Sequence, residues 1–274
     1  MVIREDPHLD IPTPSGPMRT FVFRPTPAGR YPGIVLFSEI FQVTAPIRRM
    51  ASQLAGHGFV VAVPEIFHEL LPPGLALAYD GPSTERGNAC KVGKPVEAYD
   101  ADAAAAIAAL ARLDSCTGRV GVMGICIGGH LAFRAAMNPD PPVPAAACFY
   151  ATDIHKRSLG SGGDNSLERV ARGDLGTCEL LMIWGRQDPH ISREGRRLIY
   201  DALSEAPGPG GTSETGQAGA NFAWLEFNAA HAFMRDEGPR YNPELASQCL
   251  RLVVDLFRRR LGEGDSGGPV VTSA

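Results

Sequence analysis

Cysteine, aspartate and histidine, in that order and each just after a short apolar run, could together attack an acyl carbon. The cysteine is Cys126, in Arg119-Val-Gly-Val-Met-Gly-Ile-Cys-Ile-Gly-Gly-His-Leu-Ala-Phe-Arg134. Residues 119–123 read as a buried strand and residues 131–137 as a helix, so the glycines between them mark a strand–turn–helix corner. A corner held in unusual backbone angles lifts one side chain clear of the sheet, and here that side chain is a thiol. Glycines at 124, 128 and 129 suit a turn packed too closely against its neighbours for Cβ atoms. A glycine-rich turn that merely buries a small thiol would show the same residues.

A thiol is nucleophilic only as thiolate, and an isolated one has a pKa of about 8.5. Cys126 therefore needs a base beside it, and the base needs a partner that fixes its tautomer. The order Cys126, Asp188, His231 is that of nucleophile, acid and histidine in α/β-hydrolases. Each position also has a plainer reading. Asp188 is followed by Pro189 and fits a turn former, and His231 fits a helix-end histidine bonded to backbone. His190 and His130 compete for the role of base. His190 is too close to Asp188 in the chain to face it easily, and His130 belongs to the helix behind the corner.

The elements that must position these residues alternate. Strands are expected at 20–24 (an early, edge-like strand after a proline-rich lead-in), 33–37, 59–63, 119–123, 145–150, 179–184 and 222–227. Helices are expected at 45–57, 95–113, 131–137, 192–205 with Ser192 as N-cap, and 243–261. Residues 151–176 read as polar and irregular, with one helical turn near Leu167. This alternation implies an α/β fold, a mostly parallel sheet with helices on both faces. Ligands of such sheets sit beyond the carboxyl ends of the strands, and Glu39, Cys126, Asp188 and His231 all fall there. Residues 1–261 read as a single domain. Within it, residues 64–96 lack periodicity and read as an irregular, lid-like segment, and residues 206–220 as a flexible loop. Residues 262–274 read as a disordered tail.

Net charge is −4 with both signs scattered, so no basic stripe argues for nucleic acid. No stretch approaches the roughly 20 apolar residues of a membrane span, and the first residues carry no apolar signal core. The six cysteines (90, 116, 126, 148, 178 and 249) show no Cys-x-x-Cys or zinc-like spacing. Cys148 and Cys178 lie inside apolar, strand-like runs. A reduced, cytoplasmic protein is expected, a monomer or small homo-oligomer, with no metal or organic cofactor.

Four segments carry a resemblance: Glu39-Ile-Phe, Gly-Ile-Cys126-Ile-Gly-Gly, Trp-Gly-Arg-Gln-Asp188 and His231-Ala-Phe-Met-Arg235. In this order the chain resembles the dienelactone hydrolase (carboxymethylenebutenolidase) family from about Arg19 to Leu261. The resemblance implies an α/β-hydrolase fold with a Cys126, Asp188, His231 triad. It implies that Glu39 holds the thiol proton at rest and moves when substrate binds, consistent with a carboxylate disfavouring a nearby thiolate. The oxyanion would be held by the N–H of Ile127, as in other elbows, and the resemblance suggests the N–H of Ile40 as second donor. It also implies two arginines on a substrate carboxylate. Arg235 stands where one belongs, and Arg86 is the candidate for the other as the only arginine between Arg49 and Arg112. Tyr150 is a weaker candidate for the pocket lining.

The chain departs from the family pattern in the length of 64–96 and of 206–220, and in Ile125 where an aromatic residue is common. The expected partner is a small anionic lactone or ester, and the expected reaction is conversion of a dienelactone to maleylacetate. The alternatives are a promiscuous carboxylesterase or thioesterase on the same fold, and a non-hydrolytic thiol protein that senses redox state or binds ligand covalently.

Overall fold

A computed structural model describes residues 1–208 and 219–262. The expected loop at 206–220 lies mostly, and the expected tail almost wholly, outside the described residues. Among the described residues eight strands form one sheet in the order β1-β2-β4-β3-β5-β6-β7-β8. They are β1 (Ile3–Thr13), β2 (Gly16–Pro25), β3 (Tyr31–Phe37), β4 (Val60–Pro64), β5 (Cys116–Ile125), β6 (Ala145–Phe149), β7 (Glu179–Gly185) and β8 (Phe222–Phe227). β1 with β2 and β2 with β4 are antiparallel, and the remaining pairs are parallel. The parallel centre consists of runs such as Val60–Pro64 and Ala145–Phe149, every residue of which is buried. That is the composition expected of strands covered on both faces.

Among the described residues seven helices flank the strands: α1 (Ala45–Gly56), α2 (Gly81–Gly93), α3 (Val96–Ala111), α4 (Ile127–Ala135), α5 (Ser166–Ala171), α6 (Arg193–Glu205) and, after the last strand, α7 (Pro243–Leu261). A short 3₁₀ turn lies at Ile154–Lys156. Ser192 caps α6 by accepting from the Gly195 N–H. On β5, Gly121 leaves room for Phe257 of α7, while Gly33 on β3 makes room for Leu110 of α3.

Two expectations need correction. The strand at 20–24 is not the sheet edge, because β1 pairs outside it. β1 is mostly solvent-facing, contains Pro7 and Pro12 and bulges between Asp6 and Leu9. Prolines, charges and a bulge are tolerated at an edge, and they hide the strand pattern in the sequence. The lid-like segment is not irregular throughout, because 81–93 forms α2. Asp80 caps it through the Ser83 N–H at 2.8 Å, and Pro82 occupies its first turn. Only Gly87 and Cys90 are buried, so α2 has no apolar stripe to reveal it.

The corner between β5 and α4 is where backbone approaches backbone most closely. A Cβ on Gly128 would lie 2.2 Å from the Phe37 carbonyl oxygen, and one on Gly124 1.8 Å from that of Gly128. Gly56, by contrast, has nothing within 4 Å of a built Cβ. Gly128→Ala is expected to cost about 1–3 kcal/mol or more of unfolding free energy, and Gly56→Ala to be neutral or slightly stabilising. Urea unfolding of the two variants checks the contrast, and equal midpoints would contradict it.

Candidate active site

β5 ends at Ile125 and α4 begins at Ile127, leaving Cys126 as the single residue between them. Its backbone is left-handed, φ 59° and ψ −124°, a conformation costly for a residue with a side chain. Neighbouring backbone holds it there. The Cys126 N–H donates to the Phe149 carbonyl at 3.1 Å, and its own carbonyl accepts from Gly129 and Thr152 at 3.1 and 3.3 Å. The side chain is part-exposed and lines a cavity of about 240 Å³ with Glu39, Ile40, His190, His231 and Arg235.

His231, four residues past β8, is buried and lines the same cavity as Cys126. Its Nδ1 lies 2.6 Å from Asp188 Oδ2, and Asp188 Oδ1 accepts the His190 N–H at 2.8 Å. An ionised carboxylate only accepts, so Nδ1 carries the proton and the far nitrogen is presented to the sulfur. Burial alone would favour the neutral ring. A thiolate at Cys126 and the hydrogen bond to Asp188 act against it, and the His231 pKa is pushed up to about 10. Tyr150, fully buried at the end of β6 with φ 35°, packs edge-on against the His231 ring, 4.9 Å between centroids. Burial pushes its phenol well above the usual tyrosine range.

Glu39, two residues past β3, is buried. Its Oε2 accepts from Tyr79 Oη at 3.2 Å, and its Oε1 lies 3.8 Å from Arg235 Nη1. Among the described residues its polar partners are these two and not Cys126. Burial raises its carboxyl pKa, while Arg235, His231 and Tyr79 pull it back. The Arg235 guanidinium lies 4.0 Å from the centre of the Tyr79 ring and is anchored by donating Nε–H to the Glu237 carbonyl at 3.0 Å.

Ile127 opens α4, so its N–H has no partner within the helix and the positive end of the helix dipole faces the thiol. Ile40 lines the same cavity, just past the Phe37–Ser38 backbone that crowds Gly128. Among the described residues neither N–H has a backbone acceptor.

These features agree with the comparisons. A model of the dienelactone hydrolase family matches residues 18–261. The chain belongs to this family. A Saccharomyces cerevisiae protein bearing a provisional carboxymethylenebutenolidase name is 40% identical over 271 residues, covering 95% of this chain and 93% of that one. The carboxymethylenebutenolidase of a Pseudomonas species is 24% identical, over 87% and 89% of the two chains. Among solved structures, a provisionally named dienelactone hydrolase from Klebsiella pneumoniae superposes with a TM-score of 0.76 at 24% identity, covering 94% of this chain and all of that one. A dienelactone hydrolase-like promiscuous phosphotriesterase from metagenomic libraries gives 0.72 at 18% identity, covering 96% of this chain and all of that one. Both share the α/β-hydrolase fold. Family membership makes this protein a carboxylic ester hydrolase.

The structure brings Cys126, Asp188, His231, Glu39, Ile40, Ile127 and Arg235 to one place. It does not bring Arg86 there. Thr84, Asn88 and Lys91 line the cavity from α2, and Gly87 packs against Ile40. Positions 84, 87, 88 and 91 share one helical face, and 86 lies on the opposite, exposed one. Tyr79, Lys91, Lys156 and Arg240 went unread in the sequence. Lys91 and Asn88 could have been found by helical spacing once the Asp80 cap was recognised; Tyr79, in a loop, carries no local signal.

The rival histidines have other partners. His130 is fully buried and bonds Ser166 Oγ at 2.8 Å. His190 packs its ring against His231, 4.6 Å between centroids. Asp188, His190 and His231 offer metal-type donor atoms within 4.8 Å, but both Asp188 oxygens are already engaged. A second such set, His68, Glu69 and Asp102, holds the Lys94 ammonium where a cation would sit. Lys94 bonds Asp102, Glu69 at 2.9 Å and the Ile66 carbonyl at 3.0 Å. No described helix is long and apolar enough to cross a membrane.

Because the folded pKa of His231 lies above its ordinary value of 6.5, this residue stabilises the fold most below about pH 6.5 and loses that contribution as pH rises through about 10. The stability difference between wild type and His231→Gln is therefore expected to shrink from pH 6 to pH 10.5 in denaturant titrations. A constant difference would contradict the assignment.

Proposed function

We propose that the protein hydrolyses small carboxylate-bearing esters or enol-lactones, a dienelactone to maleylacetate being the type reaction, through Cys126, His231 and Asp188. The observation that carries this is the left-handed Cys126 beside a His231 whose Nδ1 lies 2.6 Å from Asp188. The Cys126 thiolate adds to the carbonyl carbon, and the Ile127 and Ile40 N–H groups receive the developing oxyanion. The C–O bond to the leaving group breaks, leaving a thioester on Cys126, and the protonated His231 gives its proton to the departing oxygen, becoming the neutral base that the next step needs. His231 then removes a proton from water, which attacks the thioester and frees acid and thiol. Asp188 keeps the imidazole in the one useful tautomer.

Arg235 is the carboxylate fork nearest the thiol in this reading. A substrate carboxylate that takes its charge leaves Glu39 with its burial less opposed and therefore a stronger proton acceptor. This couples protonation of Glu39 to occupation of the site, and its ionised form to the empty one. The carboxymethylenebutenolidase names of the relatives favour the lactone, and the esterase reading is the outcome if only neutral esters turn over.

Loss of dienelactone ultraviolet absorbance is expected with wild type and to fall by about 10³-fold or more in Cys126→Ala. Asp188→Asn is expected to lose about 10²–10⁴-fold in kcat. Turnover that survives Cys126→Ala would overturn the mechanism, and thiol oxidation without any turnover would favour the non-hydrolytic reading. Alkylation of Cys126 is expected to change rate in Glu39→Gln; an unchanged rate would remove Glu39 from control of the thiol.

A further inference from the structure

The cavity carries more positive charge than one substrate carboxylate needs. Arg235, Lys91, Lys156 and Arg240 line it, against the carboxylates of Glu39 and Asp153. Two of the four cations are already answered. Arg235 faces Glu39 at 3.8 Å, and Lys91 donates to Asp153 Oδ2 at 2.9 Å.

Lys156 and Arg240 differ. Both are exposed, and among the described residues neither forms an ion pair. The chain has a net charge of −4, so carboxylates are plentiful, and arginines elsewhere use them. Asp236, close to Arg240 in sequence, is bound instead by Arg49 at 2.5 and 2.7 Å. Glu179 is likewise held by Arg259. The two rim cations come from different segments, Lys156 from the 3₁₀ turn after β6 and Arg240 from the loop between His231 and α7. Their fields nevertheless converge. Both disfavour the protonated form of His190, and the field of Arg240 also reaches Glu39. A lone exposed lysine is ordinary surface. Two unpaired cations lining one cavity with the histidine beside the thiol form a second anion-binding pole.

We infer that the site is built for a substrate with two anionic groups: one meets Arg235 near Cys126, and the second is held at the rim by Lys156 and Arg240. This rests on the hydrolase reading above and narrows its substrate: a dienelactone, with one free carboxylate, would fill the Arg235 pole alone. The substrate class is an ester or lactone of a polycarboxylic acid that keeps two carboxylates free. Lys156 and Arg240 set specificity; they take no part in bond making. Because they are exposed, their effect is moderate and sensitive to salt.

The test compares 4-nitrophenyl monosuccinate, with one free carboxylate, and the 4-nitrophenyl monoester of tricarballylate, with two. In wild type, kcat/KM is expected to favour the dianion. In Lys156→Met/Arg240→Met the dianion-to-monoanion ratio is expected to drop roughly tenfold, and 0.5 M sodium chloride to lower it in wild type, both on the scale of exposed pairs and screened steering. Arg197→Met, at an exposed site on α6, serves as the control and should leave the ratio alone. A ratio unchanged in the double variant overturns the inference while leaving the hydrolase reading intact.

A second arm separates the two claims. Free tricarballylate and succinate are titrated into Cys126→Ala by calorimetry, where no turnover is needed. Tighter binding of tricarballylate that is lost on adding Lys156→Met and Arg240→Met supports the rim pole even if neither ester is hydrolysed. Equal affinities overturn it even if both are.

Discussion

The arrangement depends on one backbone constraint, the left-handed turn at Cys126. A cysteine at φ 59° is unfavourable on its own, and the cost is met by contacts that exist only because three neighbours lack a Cβ. Gly124 and Gly128 touch through backbone atoms, Gly128 lies on the Phe37 carbonyl, and Gly129 packs on Phe149 and Ala151. The same contacts that hold Cys126 therefore fix it relative to the ends of β3 and β6. Glu39 and Ile40 follow the first, and Tyr150 follows the second. The thiol's position and the positions of its partners are one structural fact.

Around that turn, buried charge is arranged so that each ion has a partner but not a saturated one. His231 is held by Asp188 at 2.6 Å against a burial that favours the neutral ring. Glu39 is more lightly held, by a phenol at 3.2 Å and a guanidinium at 3.8 Å. A buried carboxylate with so loose an ion pair is open to exchange of partners. In the proposed mechanism Arg235 thus links an anion arriving in the cavity to the protonation of Glu39. The cationic lip formed by Lys156 and Arg240 extends the same electrostatics outward.

Most of this was legible where the signal is local. The elbow is a contiguous string of residues, and the strands before Glu39, Asp188 and His231 are short apolar runs with sharp ends, so the residues after them could be placed at one edge of the sheet. The bounds of β8 and α7 read from periodicity coincide with those observed. Legibility failed where burial is slight. β1 buries little and breaks its alternation with prolines and a bulge, and α2 is a polar, glycine-bearing helix held by a cap and by one close contact at Gly87. Missing α2 is what misdirected the choice of the second cation. Without a helix there is no way to see that positions 84, 88 and 91 share a face and 86 does not. Tyr79 and Arg240 enter the site through loops whose path only tertiary packing decides.

The central claim is that Cys126 becomes covalently acylated during turnover. It is tested most directly by mixing the enzyme with excess 4-nitrophenyl monosuccinate, quenching in acid within a few turnovers and measuring intact and peptide masses. The account predicts a succinyl adduct on the peptide containing Cys126, present in wild type, accumulating when His231 is replaced by alanine if deacylation is the slower step, and absent from Cys126→Ala. Steady hydrolysis by wild type with the adduct on another residue, or hydrolysis undiminished in Cys126→Ala, would contradict it.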